Sequence, residues 1–118
     1  MTKLISFLLV LFLVIPAIAL SKENEAYYQN IFCDTKNGVT ELILEDRSRV
    51  DCATTTEAIE VDFAHKWAES IGQALLYAEL LSKRPAVLLI VNDKSNKYLT
   101  RFHNATKGMD IKLYIIDE

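Results

Sequence analysis

Hydrophobic positions divide the chain into an unbroken apolar run followed by short groups with helical or alternating spacing. Leu4 to Leu20 form the run. Beyond it, Ser21 is a candidate N-cap, with Glu23 and Glu25 in the first turn of a helix that ends near Cys33 or Asp34, before the stop signal Asn37-Gly38. "VTELILEDRSRVDCA" holds two β-rich stretches around the polar turn Glu45-Asp46-Arg47-Ser48, which predicts a hairpin. "AIEVDF" alternates with period two and predicts a third strand. In "AHKWAESIGQALLYAELLS", Trp67, Ile71, Ala74, Leu75 and Ala78 recur at helical spacing as a buried stripe. Lys83-Arg84-Pro85 ends that helix, because Pro cannot continue it. "AVLLIV" is apolar throughout and predicts a strand covered on both faces. A polar helix from Asn96 to Thr106, then Gly108, then the strand "IKLYIID" complete the chain.

The predicted order is therefore α-β-β-β-α-β-α-β, an α/β fold with a mixed sheet flanked by helices. The leader modifies the picture at one end. Lys3, the apolar run and the small-x-small site Ala17-Ile18-Ala19 have the layout of a secretory signal peptide spanning residues 1–19. Cleavage after Ala19 leaves one domain, residues 20–118, with no stable membrane insertion and a secreted or periplasmic location. An uncleaved anchor is the other reading of a run of this length. Losing Lys3 takes the net charge from −3 to −4, which excludes polyanion binding by bulk charge and requires any nucleic-acid contact to be local. Cys33 and Cys52 are the only cysteines. In an exported chain such a pair suggests a disulfide; the alternative is two buried thiols.

The chemistry-bearing residues cluster around the third strand. Glu60 and Asp62 share one face there, opposite Ile59, Val61 and Phe63. On the second strand Asp51 shares a face with Arg49, opposite Val50 and Cys52. If the two strands are neighbours, three carboxylates converge and need a positive partner. A hard divalent cation, Mg²⁺ or Mn²⁺, held by Asp51, Glu60 and Asp62, supplies one. On the following helix Lys66, Gln73 and Tyr77 form a narrow polar stripe, with Ser70 between them, that can border the same patch.

These residues resemble the PD-(D/E)XK nuclease superfamily. "RVD" supplies its second-strand Asp as Asp51, "IEVD" its third-strand Glu as Glu60, and Gln73-x-x-x-Tyr77 is similar to the Q-x-x-x-Y helix signature of one of its branches. Glu25 matches, loosely, an extra acid that some members place on the first helix. The resemblance extends from about Glu25 to Val91. It implies a restriction-endonuclease-like α-β-β-β-α-β core and Mg²⁺-dependent hydrolysis of phosphodiester bonds in DNA or RNA. Asp51, Glu60, Asp62 and Lys66 are then the catalytic residues, with Gln73 and Tyr77 positioning the substrate. The pattern departs from the family at one place: Asp62 stands where the family has its Lys, and Lys66 is the nearest substitute.

Other readings use the same residues. Asp51 and Arg49 can be a surface cross-strand ion pair, and Glu60 with Asp62 the solvated face of a strand. The chain is then a secreted protein that keeps the nuclease fold as a binding or structural module, or a different small exported α/β protein. His65 and His103 read as surface residues. Lys94, Lys97 and Arg101 share a helix face that could touch a phosphate backbone and reads more simply as solvated.

Overall fold

A computed structural model describes residues 23–118. The leader, its cleavage site and Ser21 lie outside the described residues. Helix α1 (Glu25–Thr35) leads into strands β1 (Val39–Ile43), β2 (Arg49–Ala53) and β3 (Glu57–Phe63). A 3₁₀ turn (Ala64–Lys66) then opens into α2 (Trp67–Leu81), followed by β4 (Arg84–Val91), α3 (Asn96–Ala105) and β5 (Lys112–Asp117). The strands make one mixed sheet in the order β1-β2-β3-β4-β5. β1, β2 and β3 form an antiparallel meander, while β4 and β5 add in parallel. The parallel additions follow from the connections, since each needs a crossover long enough to hold a helix.

Helix α1 covers one face of the sheet and α2 with α3 cover the other. Under α1 lie Tyr28, Cys33, Cys52, Ile59, Val61, Ala86, Leu88 and Ile90, with Phe63 beside them. Under α2 and α3 lie Ala74, Val87, Leu89, Val91 and Phe102. β4 thus contributes alternate residues to both layers, which is why its sequence shows no polar interruption. The alternation expected for β3 is also observed, since Ile59, Val61 and Phe63 all belong to the α1 layer.

Three local expectations change. The N-cap of α1 is Asn24, whose side chain accepts the Tyr27 N–H at 3.0 Å. Helix α2 stops at Ser82, which takes a left-handed conformation and returns its N–H to the Ala78 carbonyl. The Arg84-Pro85 pair, expected to end the helix, already belongs to β4. In α2, Leu75 is 37% exposed and Tyr77 is 9% exposed, so the inward stripe is shifted toward Tyr77.

Cys33 and Cys52 form a disulfide that ties the end of α1 to β2, with Cα atoms 5.7 Å apart. Gly38 packs directly on it; a Cβ at this position would sit 2.7 Å from both sulfurs. Among the described residues no helix is long and apolar enough to cross a membrane.

The bridge closes a loop that on chain-entropy grounds contributes about 3 kcal/mol. Replacing both cysteines by Ala is expected to lower the urea-unfolding free energy by about that amount. Gly38→Ala is expected to cost about 1–3 kcal/mol through overpacking. That cost should shrink in the cysteine-free background, where the sulfurs are gone, and a double-mutant cycle measures the difference.

Candidate functional site

The site begins where the sheet opens. β2 and β3 pair through Cys52 with Ile59 and Ala53 with Ala58, and the ladder goes no further. At the next positions two side chains take over the backbone hydrogen bonds. The Val61 N–H donates to Asp51 Oδ2 at 2.8 Å, and the Asp51 N–H donates to Glu60 Oε1 at 3.3 Å. The opposing strand is distorted at the same level. Glu41, between the Thr40–Cys52 and Leu42–Val50 pairs, has a left-handed φ of 55°. Strict alternation fails as a result: Val50 packs with Tyr77 and Ala78, whereas Cys52 lies in the α1 layer. The sequence expectation that Val50 and Cys52 share a face, opposite Asp51, is therefore not met. A left-handed residue in the neighbouring strand rotates the chain about Asp51.

The opening is the floor of a cleft of about 420 Å³. All six residues expected at the site line it: Asp51, Glu60 and Asp62 from the sheet, and Lys66, Gln73 and Tyr77 from the turn and α2. Glu25, Glu41, Arg49 and Glu69 also line it. Glu41 and Glu69 carried no sequence signal. Glu41 enters through its unusual backbone conformation, and Glu69 lies one turn beyond Lys66 on the same helix face. Arg49 does not pair with Asp51 as a surface ion pair would require; its guanidinium lies 3.8 Å from Glu41 Oε2. Glu41 Oε1 also accepts a hydrogen bond from Gln29 Nε2 at 3.0 Å. Gln73 is exposed at the rim, while Tyr77 and Ser70 are buried against the sheet.

Burial controls the charge state of the acids. Glu60 is 3% exposed, and desolvation, reinforced by the nearby Asp51 charge, pushes its carboxyl up to about 9. Asp62 rises to about 7, first through desolvation and then through Glu25. Desolvation also raises Asp51, against the opposing hydrogen bond from the Val61 N–H. Glu25 is raised by burial and then by the Asp51 charge. The acids fall into two hydrogen-bonded pairs, Asp51 with Glu60 and Asp62 with Glu25. Lys66 is the cation that pulls Asp62 and Glu25 back toward ionisation. Tyr77 is raised by burial and then by Glu60, so its phenol stays protonated as a donor facing the acids.

A hard divalent cation fits the donor chemistry of the first pair. Among the described residues no group of three or more His, Cys, Asp or Glu side chains is placed to hold a metal ion between them. Mg²⁺ does not require one, because it commonly uses one or two carboxylates together with water and substrate phosphate. Asp51, half-buried, and Glu60, buried, provide two adjacent carboxyls. Asp62, expected in the same ligand set, lines the same cleft and also neighbours Glu25.

Comparison with known protein families, with curated proteins and with solved structures found no match. The functional reading therefore rests on the residues themselves.

The raised acids predict a pH dependence in metal-free buffer. The folded state keeps a proton on Glu60 that the unfolded chain releases near 4.5, so the folded state binds more protons over the interval from about 4.5 to about 9. Stability consequently falls as pH rises through that interval, by at most about 1.4 kcal/mol per pH unit for one proton. Glu60→Gln is expected to flatten the profile and to raise stability at pH 8, as measured by urea unfolding in EDTA at pH 5, 7 and 9.

Proposed function

We propose that the cleft hydrolyses phosphodiester bonds of nucleic acid with Mg²⁺ or Mn²⁺, and that the chain is an exported, restriction-endonuclease-like nuclease of the PD-(D/E)XK type. The observation that carries this reading is the opening between β2 and β3. It gathers Asp51, Glu60, Asp62, Lys66, Gln73 and Tyr77, from β2, β3, the turn after it and α2, around one polar cleft. The element order from α1 to β4 fits the α-β-β-β-α-β core of that superfamily. The disulfide fits an oxidising compartment.

Asp51 and Glu60 would hold the cation. When bound, it lowers the pKa of a coordinated water and screens the phosphate charge. The chain's own groups supply the rest. Lys66, already close to Asp62 and Glu25 in charge terms, offers an ammonium to the phosphoryl oxygens as negative charge builds on them. Lys66 lines the cleft alongside Asp62 and Glu25. The Tyr77 hydroxyl and the Gln73 amide are donors that fix the phosphate or the carboxyls. In the reaction a water oxygen bonds to phosphorus and the opposite ester bond breaks. The departing oxygen keeps the electron pair and takes up a proton.

One observation favours a second reading, a non-catalytic binding module with the same fold. Asp62 occupies the position of the family's Lys and is paired with another acid, Glu25, so the strand itself presents no cation to a phosphate.

Purified protein is expected to degrade single- or double-stranded nucleic acid with Mg²⁺ or Mn²⁺, and EDTA to stop it. Glu60→Ala should reduce the rate by about 10²–10⁴-fold, the loss expected when a catalytic cation goes. Lys66→Ala should lower kcat by about 10²–10³-fold. At pH 8, 10 mM Mg²⁺ should raise the Tm of the wild type but not of Asp51→Asn/Glu60→Gln. A Tm shift without cleavage of any such substrate would support the binding module instead.

A further inference from the structure

A second cleft, of about 490 Å³, lies against the same turn. Phe63, Ala64 and His65 line it, and these three residues stand between Asp62 and Lys66, which line the acidic cleft. The two spaces are thus the two sides of one strand end. The second cleft sits at the carboxyl ends of the parallel strands, where open α/β sheets form crevices. Ile90 and Asn92 come from the end of β4, and Lys94, Ser95, Lys97 and Tyr98 from the loop into α3 and its first turn.

Its chemistry is the opposite of its neighbour's. Lys94, Lys97 and His65 are exposed. The only acid on its wall is Glu118, whose carboxylate accepts a hydrogen bond from Asn92 Nδ2 at 2.9 Å. Two ring surfaces stand with the two lysines. His65 stacks on Phe63 at 6.3 Å with 19° between the planes. Tyr98 carries the Lys97 ammonium 5.0 Å from its ring centre. Cations interleaved with aromatic faces match the chemistry of single-stranded nucleic acid, whose unpaired bases stack while its phosphates take the charge. A duplex keeps its bases stacked on each other and has no use for the rings. The chain's net charge of −3 makes a general electrostatic footprint an inadequate explanation of binding, so a local one is required.

We propose that this cleft holds an unpaired nucleotide adjoining the bond cut in the acidic cleft, with its phosphate on Lys94 and Lys97 and its base against His65 and Tyr98. The substrate class is then single-stranded nucleic acid, or a single-stranded end. The inference rests on the phosphodiester reading of the acidic cleft, and its test is independent of cleavage.

Binding of fluorescein-labelled dT12 to the full protein in EDTA, followed by anisotropy across a salt series, reads it directly. The wild type is expected to bind dT12 at least tenfold more tightly than a 12-base-pair duplex. Lys94→Ala/Lys97→Ala should weaken dT12 binding at least tenfold and make its log–log salt slope shallower by about 1.4, the value for two phosphate contacts on a single strand. His65→Ala, at an exposed position, should weaken dT12 about fivefold or more and leave duplex binding unchanged. An unaltered affinity and salt slope in the lysine double variant would overturn the proposal, as would a wild type that prefers duplex or binds neither. Lysine-dependent dT12 binding without any cleavage leaves this cleft standing and removes the nuclease reading. Glu60-dependent cleavage in a lysine double variant that binds dT12 like the wild type does the reverse.

Discussion

Everything at the acidic cleft depends on how the sheet is held open between β2 and β3. A pair of strands that separates inside a fold exposes backbone N–H groups that must find acceptors. Here the Asp51 and Glu60 carboxyls provide them, for Val61 and for Asp51 itself. The arrangement places two acids where water is scarce, and it does so as a consequence of backbone satisfaction. Their raised pKa values follow directly, because both are desolvated and the Arg49 charge offsets this only in part at Asp51. The same two residues therefore have a structural duty and an unmet electrostatic need. Truncating either removes an acceptor as well as a ligand, which is why Asn and Gln replacements separate the two roles better than Ala.

The supports of this opening come from outside the two strands. The disulfide fixes α1 to Cys52, immediately after Asp51, and so holds the helix that brings Glu25 to Asp62. Tyr77 and Ala78 pack with Val50 on the other side, filling the space created when β2 turns. Arg49 and Gln29 both engage Glu41, and this pins the left-handed residue opposite Asp51. Each contact is modest alone. Together they keep the ladder from closing over the cleft.

Much of this was legible in the residues and some was not, for identifiable reasons. The element order followed from period: two in "AIEVDF", helical in the segment after it, none in "AVLLIV". The six expected site residues do line one cleft, because strand alternation in β3 and helical spacing in α2 are both regular there. The failures sit where regularity breaks. Nothing in "VTELI" marks Glu41 for a positive φ, so the rotation of β2 that separates Val50 from Cys52 was invisible. Leu75 and Tyr77 exchanged roles because the helix faces a polar opening there. A phenol with a partner-seeking hydroxyl is better suited to that position than a leucine. Lys94, Lys97 and Arg101 are exposed, as expected of a solvated face, but the cleft that Lys94 and Lys97 share with Phe63 and His65, some thirty residues away in sequence, had no sequence signal.

Asp62 is the residue through which these observations connect. A lysine at its position would set a positive charge beside Glu60 and Asp51 from within β3. An aspartate does the opposite, and adds a second pair of acids, with Glu25, in which both carboxyls are raised above their ordinary values. The positive charge then has to come from beyond the strand, and the turn after it supplies Lys66 on the acidic side, with the His65 ring on the other. The turn Ala64–Lys66 thus divides the end of β3 into an acidic side and a basic, aromatic side. A polyanion lying across that turn would meet cations at the second cleft before its phosphate reached the carboxyls. Attraction at one side then offsets repulsion at the other. On electrostatic grounds, that orientation lowers the repulsion an acidic chain presents to a polyanion.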